Sequence, residues 1–471
     1  MDTSILPSIF WPTKNQSMRD LDRPFFNKSI TLAAATVTDP KQIAGVRKAL
    51  SKDVLVFSKP IRDSPHIAGA KCVLLHSRIV TADSTTWPAA LKSLNEEGVV
   101  HVHNYDLKLG YEDYSMQSIL DAILPSMPED EQETPAGFAQ VGHVAHLNLR
   151  RQYLPYKHLI GQVLLDKNPQ IRTVINKLLD VGTESAFRTF PYEVLAGDDD
   201  LDVTVSESQC TFCFNFGKVY WNSRLGTEHA RIVDKFSEGE AVCDLMAGVG
   251  PFAVPAGKRR VFVYANDLNP DSFAGLQDAI TRNKVGDFVQ GFCDDARTFV
   301  HSSAKRLQRD FRVATIPPKT KISRTMSREQ QAEAEAKIIA ETIILRQPTS
   351  FDHYVMNLPA SAVEFLNAFK GLLHGREDEF YPYTEKQLPW IHVHLFQAKC
   401  PTTEEEHAGV LATVSKHLGH ELKPAYDNGE IELFDVRLVA PNKRMYCASF
   451  RLPAEIAFPS PKTVTTQSVQ P

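Results

Sequence analysis

Residues 243–257 read CDLMAGVGPFAVPAG. An apolar run enters a glycine-rich turn that opens a helix, and that join restricts the fold more than any other stretch. Gly248-Val-Gly250-Pro-Phe-Ala253 fits G-x-G-x-x-G/A, in which glycine permits the tight turn and lets backbone approach a ligand. Pro251 suits a first helical position. A P-loop is excluded, because position 252 is Phe252 where glycine is needed and position 259 is Arg259 where Ser or Thr is needed. Further short apolar runs follow: RVFVYAND, GDFVQGFCDD, FDHYVMNLP and WIHVHLFQAK. With EAVCDLM they read as buried parallel strands, so the spacing predicts an α/β sheet over about 227–453. IELFDVRLVAPNKRMYCASFRLP predicts an antiparallel hairpin around APNKR.

The 471 residues suit two or three domains. MPEDEQETPAG (127–137) reads as a polar linker. The expected division is an N-terminal domain at 1–130, a middle α+β domain at 134–226, a sheet domain at 227–458 and a disordered tail at 459–471. QCTFCFNFGKVYWN (209–222) reads as one or two strands. Residues 303–329 carry Lys305, Arg306, Arg309, Arg312, Lys319, Lys321, Arg324 and Arg328 against Asp310 and Glu329. That run is either a solvated loop or a phosphate-contacting arm. AEAEAKIIAETIIL then reads as a helix, making a basic and helical insertion of about 303–345.

Charge and cysteine content narrow the class. A net charge of −5 predicts no general affinity for nucleic acid, though a local basic surface is compatible with it. Seven scattered cysteines suggest a reducing compartment. No run reaches the roughly 18 apolar residues of a membrane helix. The N-terminus reads as neither a secretory signal nor a clear transit peptide. Cys210-Thr-Phe-Cys213 is a lone CxxC, and the histidine pairs 143/146, 101/103 and 392/394 lack further ligands at suitable spacing, so no metal is expected.

Two ligands compete for the glycine loop. Asp267, 17 residues past Gly250, is placed for a ribose hydroxyl in a nicotinamide enzyme. The Tyr153/Lys157 pair, however, lies upstream of the loop, and no reducing machinery is evident. S-adenosylmethionine accounts for more. Asp244 ends the first strand near the methionine part, and Asp267 follows the second, facing the ribose. Asp295 (or its neighbour Asp294) follows the third, facing the adenine amino group, and Asn357-Leu-Pro359 follows the fourth. Each alone reads equally well as a cap or turn former. Asn357-Leu358-Pro359 resembles the Asn/Asp-Pro-Pro motif of enzymes that methylate planar nitrogen, where aligning acceptor, methyl and sulfur is the main task.

MAGVGPFAVPA, NLP, WNSRLGTEHARI (221–232), FRTFPYEVLAG (187–197) and VRLVAPNKRMYCASFRLP (436–453) together resemble the archaeal–eukaryotic tRNA (guanine-37-N1) methyltransferases over roughly 134–453. SMRDLDRPFFNKSI resembles the start of the eukaryotic members. The resemblance implies a class I S-adenosylmethionine-dependent methyltransferase with a Rossmann-like seven-stranded sheet and additional N-terminal α+β domains. The substrate would be tRNA with guanine 37, and the product N1-methylguanosine, the first step of wybutosine synthesis in phenylalanine tRNA. Inosine 37 is a further candidate.

By the same resemblance, Glu228 is the general base, Arg188 stabilises developing charge, and Asn357 and Pro359 position the acceptor. His229, Asp267, Leu268, Asp295, Ala296 and Asn357 match the family's cofactor-contact positions, to which the reading of the loop and strand ends adds Asp244, Gly248 and Gly250. Each has a plainer reading. Glu228 is also a first-turn acid, Arg188 a surface arginine and Asn357 a strand-end turn. Tyr220 and Trp221 would stack on a flipped base or lie buried in a strand. Arg150, Arg151, Lys157 and the insertion are candidates for phosphate contact. The resemblance further implies a monomer in cytoplasm, nucleus and mitochondrial matrix, with no DNA or membrane partner. An aminocarboxypropyl transferase of the wybutosine pathway, a noncatalytic tRNA-binding protein and a small-molecule or protein methyltransferase are the alternatives.

Overall fold

A computed structural model describes residues 7–57, 59–125, 137–178, 187, 189–318, 327–423 and 430–459. The linker at 127–137 lies outside these residues except for Gly137, as do Arg188, Lys319, Lys321, Arg324 and nearly all of the tail. The chain divides into two units, one of 1–139, 144–178 and 192–200, the other of 140–143, 179–191 and 201–471. This differs from the sequence expectation, because residues 144–178 and 192–200 join the N-terminal segment instead of forming a middle domain.

The first unit is built on an antiparallel sheet in which Lys28–Val37 pairs with both Lys71–Leu74 and Val100–Leu109. Period-two geometry sends Ile30, Leu32 and Ala34 to one core, and Ala33, Ala35 and Val37 to another. The first core explains the changed boundary. Helices Met116–Ile123 and Lys157–Lys167 share it through Ile119, Leu120, Ile160 and Leu164. Burying both apolar faces together ties the two sequence segments into one body.

The second unit holds a seven-stranded sheet. Its strands are β1 (Ala241–Asp244), β2 (Phe262–Asn266), β3 (Val289–Phe292), β4 (His353–Met356), β5 (Trp390–Ala398), β6 (Ile431–Ala440) and β7 (Lys443–Arg451). Their order is β3-β2-β1-β4-β5-β7-β6. β1 to β5 pair in parallel, whereas β7 is antiparallel to both β5 and β6. The order reverses between β1 and β4, a switch point that opens a crevice at the strand ends. The helices are α1 (Gly226–Val233), α2 (Ala253–Lys258), α3 (Pro270–Arg282), α4 (Ala296–Arg309), α5 (Arg328–Glu341), α6 (Thr403–Leu418) and the short α7 (Ala454–Ala457).

The insertion starts later than the sequence suggested. α4 runs unbroken to Arg309 because Ala296, Phe299, Val300, Ser303, Ala304 and Leu307 recur at helical spacing and are buried. Only then do Val313–Ile316 and Ile343–Arg346 form an antiparallel hairpin carrying α5. The final isoleucines of AEAEAKIIAETIIL therefore belong to a strand, consistent with β-branched side chains.

Candidate active site

The crevice at the ends of β1 to β4 encloses about 180 Å³. Gly248, Asp267, Leu268, Asp295, Ala296 and Asn357 line it, so six of the sequence-derived positions converge. Gly248 has φ +57 and Gly250 φ +93, the left-handed region that glycine adopts without strain. The Gly248 N–H donates to Asp267 Oδ2 at 2.8 Å, and Asp267 Oδ1 accepts from the Asn269 N–H at 2.9 Å. Asp295 caps α4, accepting from the N–H groups of Arg297 and Thr298 at 3.0 and 3.2 Å. The plain and functional readings thus coincide: these carboxylates fix the turns and still face the crevice. Asp295 lines it and Asp294 does not. Burial raises the Asp267 pKa against the backbone hydrogen bonds that lower it.

Four expected positions sit elsewhere. Gly250 lies beneath the turn, where an added Cβ would stand 2.7 Å from Leu276 Cδ1. Pro359 is buried and its carbonyl accepts from Phe396 N at 3.2 Å. His229 is turned toward the strand Asp202–Glu207, pairing through Nδ1 with Glu207 Oε1 at 2.6 Å, with the Phe252 ring edge-on at 4.8 Å. Asp244 is fully buried below Leu245 and Met246. The Met246 N–H points its way, yet no hydrogen bond of normal geometry satisfies either oxygen. Burial therefore pushes its carboxyl up to about 8. Asn357 Oδ1 is likewise buried without a partner. These three unsatisfied oxygens, at the ends of β1 and β4, are what a ligand offering donors, such as an ammonium, would complete.

Glu228 is also outside the crevice lining. It lies in the first turn of α1 and is 3% exposed. Arg231 donates to it from Nε at 2.6 Å and Nη2 at 2.7 Å, and His394 Nε2 donates at 2.8 Å. Burial works against the carboxylate, but these two donors outweigh it and hold Glu228 at about 2. Burial likewise opposes the His394 imidazolium, yet Cys447 and Glu228 raise it to about 10. Cys447 is the direct cross-strand neighbour of His394. Glu228, His394 and Cys447 offer ligand atoms within 4.8 Å of one another. Arg231 already occupies both Glu228 oxygens, which favours an ion-pair network over a metal site.

Sequence reading missed this network. Its signals were the i, i+3 spacing of Glu228 and Arg231 and the alternation of WIHVHLF, which places His392 and His394 on one face. Tyr220 and Trp221 separate: Tyr220 lines the crevice, while Trp221 packs against Phe212 and Phe214 at 5.4 and 5.3 Å. Cys210 and Cys213 lie on the single strand Cys210–Asn215, and their odd spacing points them to opposite faces. Among the basic candidates, Lys157 is ion-paired with Glu193. Arg312 donates to the Asp287 carbonyl at 2.9 Å, and Arg306 lies 4.9 Å over the Phe292 ring, so both are built into the sheet domain.

Residues 116–200 match the family described as the TYW2 N-terminal domain, and residues 203–316 match the TRM5/TYW2 methyltransferase domain. The chain is 47% identical to a tRNA (guanine(37)-N(1))-methyltransferase of Aspergillus fumigatus, covering 97% of both chains. It is 48% identical to the protein of that name in Emericella nidulans, covering 97% of this chain and 96% of the relative. Among solved structures, Trm5b of Pyrococcus abyssi matches with a TM-score of 0.54 at 19% identity, covering 89% of this chain and 99% of that one. At that identity the likeness speaks to the fold.

Proposed function

The chain belongs to the tRNA (guanine(37)-N(1))-methyltransferase family, and we propose that its crevice at the β1–β4 strand ends is where the reaction takes place. It is an S-adenosylmethionine-dependent enzyme that methylates N1 of guanine 37 in tRNA. The near full-length likeness to enzymes of that name carries the reaction. The unsatisfied oxygens of Asp244 and Asn357, with Asp267 and Asp295 at successive strand ends, support the location.

The cosubstrate supplies an electrophilic sulfonium methyl. Everything else falls to the chain. Direct displacement demands alignment, and the Asn357 amide at the crevice wall is the group placed to orient a planar base. Pro359 stiffens the backbone behind it. Guanine N1 must lose its proton, and charge then builds on O6. Glu228 takes that proton only if Arg231 leaves its carboxylate, because a group held at about 2 is a weak base. Glu432 accepts from Arg231 Nη1 at 3.1 Å and can retain the guanidinium. Arg188 stabilises O6 in this proposal and lies outside the described residues.

A second reading follows from the same geometry: Glu228 is a structural anion that joins α1 to β5 through His394. Single-turnover methylation of a guanine-37 transcript by Glu228→Gln separates the two. Loss of rate with unchanged cofactor affinity supports the base; a near-normal rate supports the anchor. The reaction itself is tested with labelled S-adenosylmethionine and two transcripts, carrying guanine or adenine at position 37. Label as N1-methylguanosine in the first alone is expected, and no label in either overturns the reading. We further propose a metal-free monomer without membrane or DNA partners, working in cytoplasm, nucleus and mitochondrial matrix. Light scattering, metal analysis and cell fractionation test those points.

A further inference from the structure

Two arginines close to the crevice, Arg224 and Arg437, have no acidic partner among the described residues. Arg224, one turn before Glu228, is exposed, and its backbone N–H is held by Asn222 Oδ1 at 3.1 Å. Asn222 in turn reaches the Tyr220 hydroxyl from Nδ2 at 3.5 Å. Arg437 comes from β6, where the pairing with β7 slips between Asp435 and Arg437. Such bulges re-aim a side chain. Arg437, just past this slip, lies within electrostatic range of both Arg224 and Tyr220. The only side-chain hydrogen bond it makes among the described residues is a long one to the Leu438 carbonyl, at 3.4 Å.

Nearby acids are committed to other groups. Asp435 pairs with Arg444, Glu432 with Arg231 and Lys235, and Glu207 with His229. Two guanidinium groups brought together without a carboxylate repel one another, and the fold tolerates this at a cost that an anion would remove. Tyr220 joins them to the crevice, since it lines that cavity. Arg224 also opens onto a polar groove of about 710 Å³ whose walls include Ser223, Thr227 and Ser206.

We propose that Arg224 and Arg437, flanking Tyr220, bind the phosphodiester backbone next to the nucleotide that enters the crevice. This rests on the tRNA reading above and adds the anchor that reading lacks. Guanidinium forks match phosphate oxygens two at a time. The phosphates fix register and orientation, and the base is then presented at Tyr220 and Asn357.

The test uses the full chain, a tRNA transcript with guanine 37, and four variants: Arg224→Gln, Arg437→Gln, the double change, and Arg437→Lys. Binding is measured across a salt series, with S-adenosylmethionine affinity as the check on folding. Each glutamine change is expected to weaken tRNA binding about tenfold, as for a lost charged hydrogen bond. Each also flattens the slope of log K against log salt by about 0.7. Arg437→Lys keeps the slope because it keeps the charge. Unchanged tRNA affinity and slope in the double variant overturn the proposal. So does a selective loss of cofactor affinity, which would mean the pair grips the cosubstrate carboxylate. Failure of the unaltered protein to methylate guanine 37 is a separate result, and it counts against the tRNA reading itself.

Discussion

His394 on β5 donates through Nε2 to the Glu228 carboxylate of α1 at 2.8 Å, across 166 residues of sequence. Both side chains are almost wholly buried, at 0% and 2% of their side-chain surface exposed. Removing one partner of such a pair leaves the other charge without its counterpart. His394→Ala is therefore expected to lower unfolding free energy by about 3 kcal/mol, the lower end for a broken buried pair because Arg231 remains on Glu228. Urea unfolding measures it, and a loss under about 1 kcal/mol would be typical of an exposed pair instead.

The same pair predicts an acid limb. Glu228 is depressed to about 2 from an ordinary 4.5. A depressed carboxylate contributes stability above its unfolded value and loses it as pH falls through the folded one. The contribution is complete above about 4.5 and disappears toward about 2. His394, raised to about 10 from 6.5, has the opposite sense: complete below 6.5, lost as pH rises through about 10. Unfolding curves of Glu228→Gln should lack the acid dependence, and those of His394→Ala the alkaline one. Identical pH dependence in parent and variants would show that the network does not titrate with folding.

Asp244 sets stability against binding. Its carboxyl is raised to about 8 from 3.8. A raised carboxyl contributes stability below 3.8 and loses it as pH rises through about 8. Asp244→Asn removes that slope, so the ligand-free variant should have a higher urea midpoint than the parent at pH 8. It should also bind S-adenosylmethionine about tenfold more weakly, since a charged hydrogen bond is exchanged for a neutral one. Unchanged affinity by calorimetry would remove Asp244 from the cosubstrate site.

The two loop glycines should respond unequally. An alanine Cβ at Gly250 meets Leu276 at 2.7 Å and requires φ +93, whereas at Gly248 nothing lies within 4 Å and φ is +57. Gly250→Ala is expected to cost about 1–3 kcal/mol through overpacking and strain. Gly248→Ala should cost less stability but still weaken cofactor binding, because Gly248 lines the crevice. Thermal shifts with and without cofactor compare them, and equal destabilisation would contradict the packing argument.

Asn357→Ala should lower single-turnover rate by about 10²-fold with little change in stability, as expected when a positioning group is lost. A quench-flow assay with saturating cofactor reads this directly. A variant that binds tRNA and reacts at the parental rate would show that its unsatisfied Oδ1 plays no part in presenting the base.

The sequence by itself determined the sheet, its glycine turn and the strand-end acids. These depend on local chemistry: period-two apolar runs, positive-φ glycines, and carboxylates that cap the next helix. It also placed Tyr220 and Trp221 side by side without showing that only one faces the crevice. What tertiary structure decided was every relation between distant segments. It moved residues 144–178 and 192–200 into the N-terminal unit, because the helix Lys157–Lys167 shares a core with Met116–Ile123. It sank Asp244 below the cavity, built Arg312 into the sheet domain, and locked Glu228 to Arg231 and His394. Chain spacing encodes which face a residue takes on its own element. Which charge waits on the opposing element depends on how strands far apart in sequence are brought side by side.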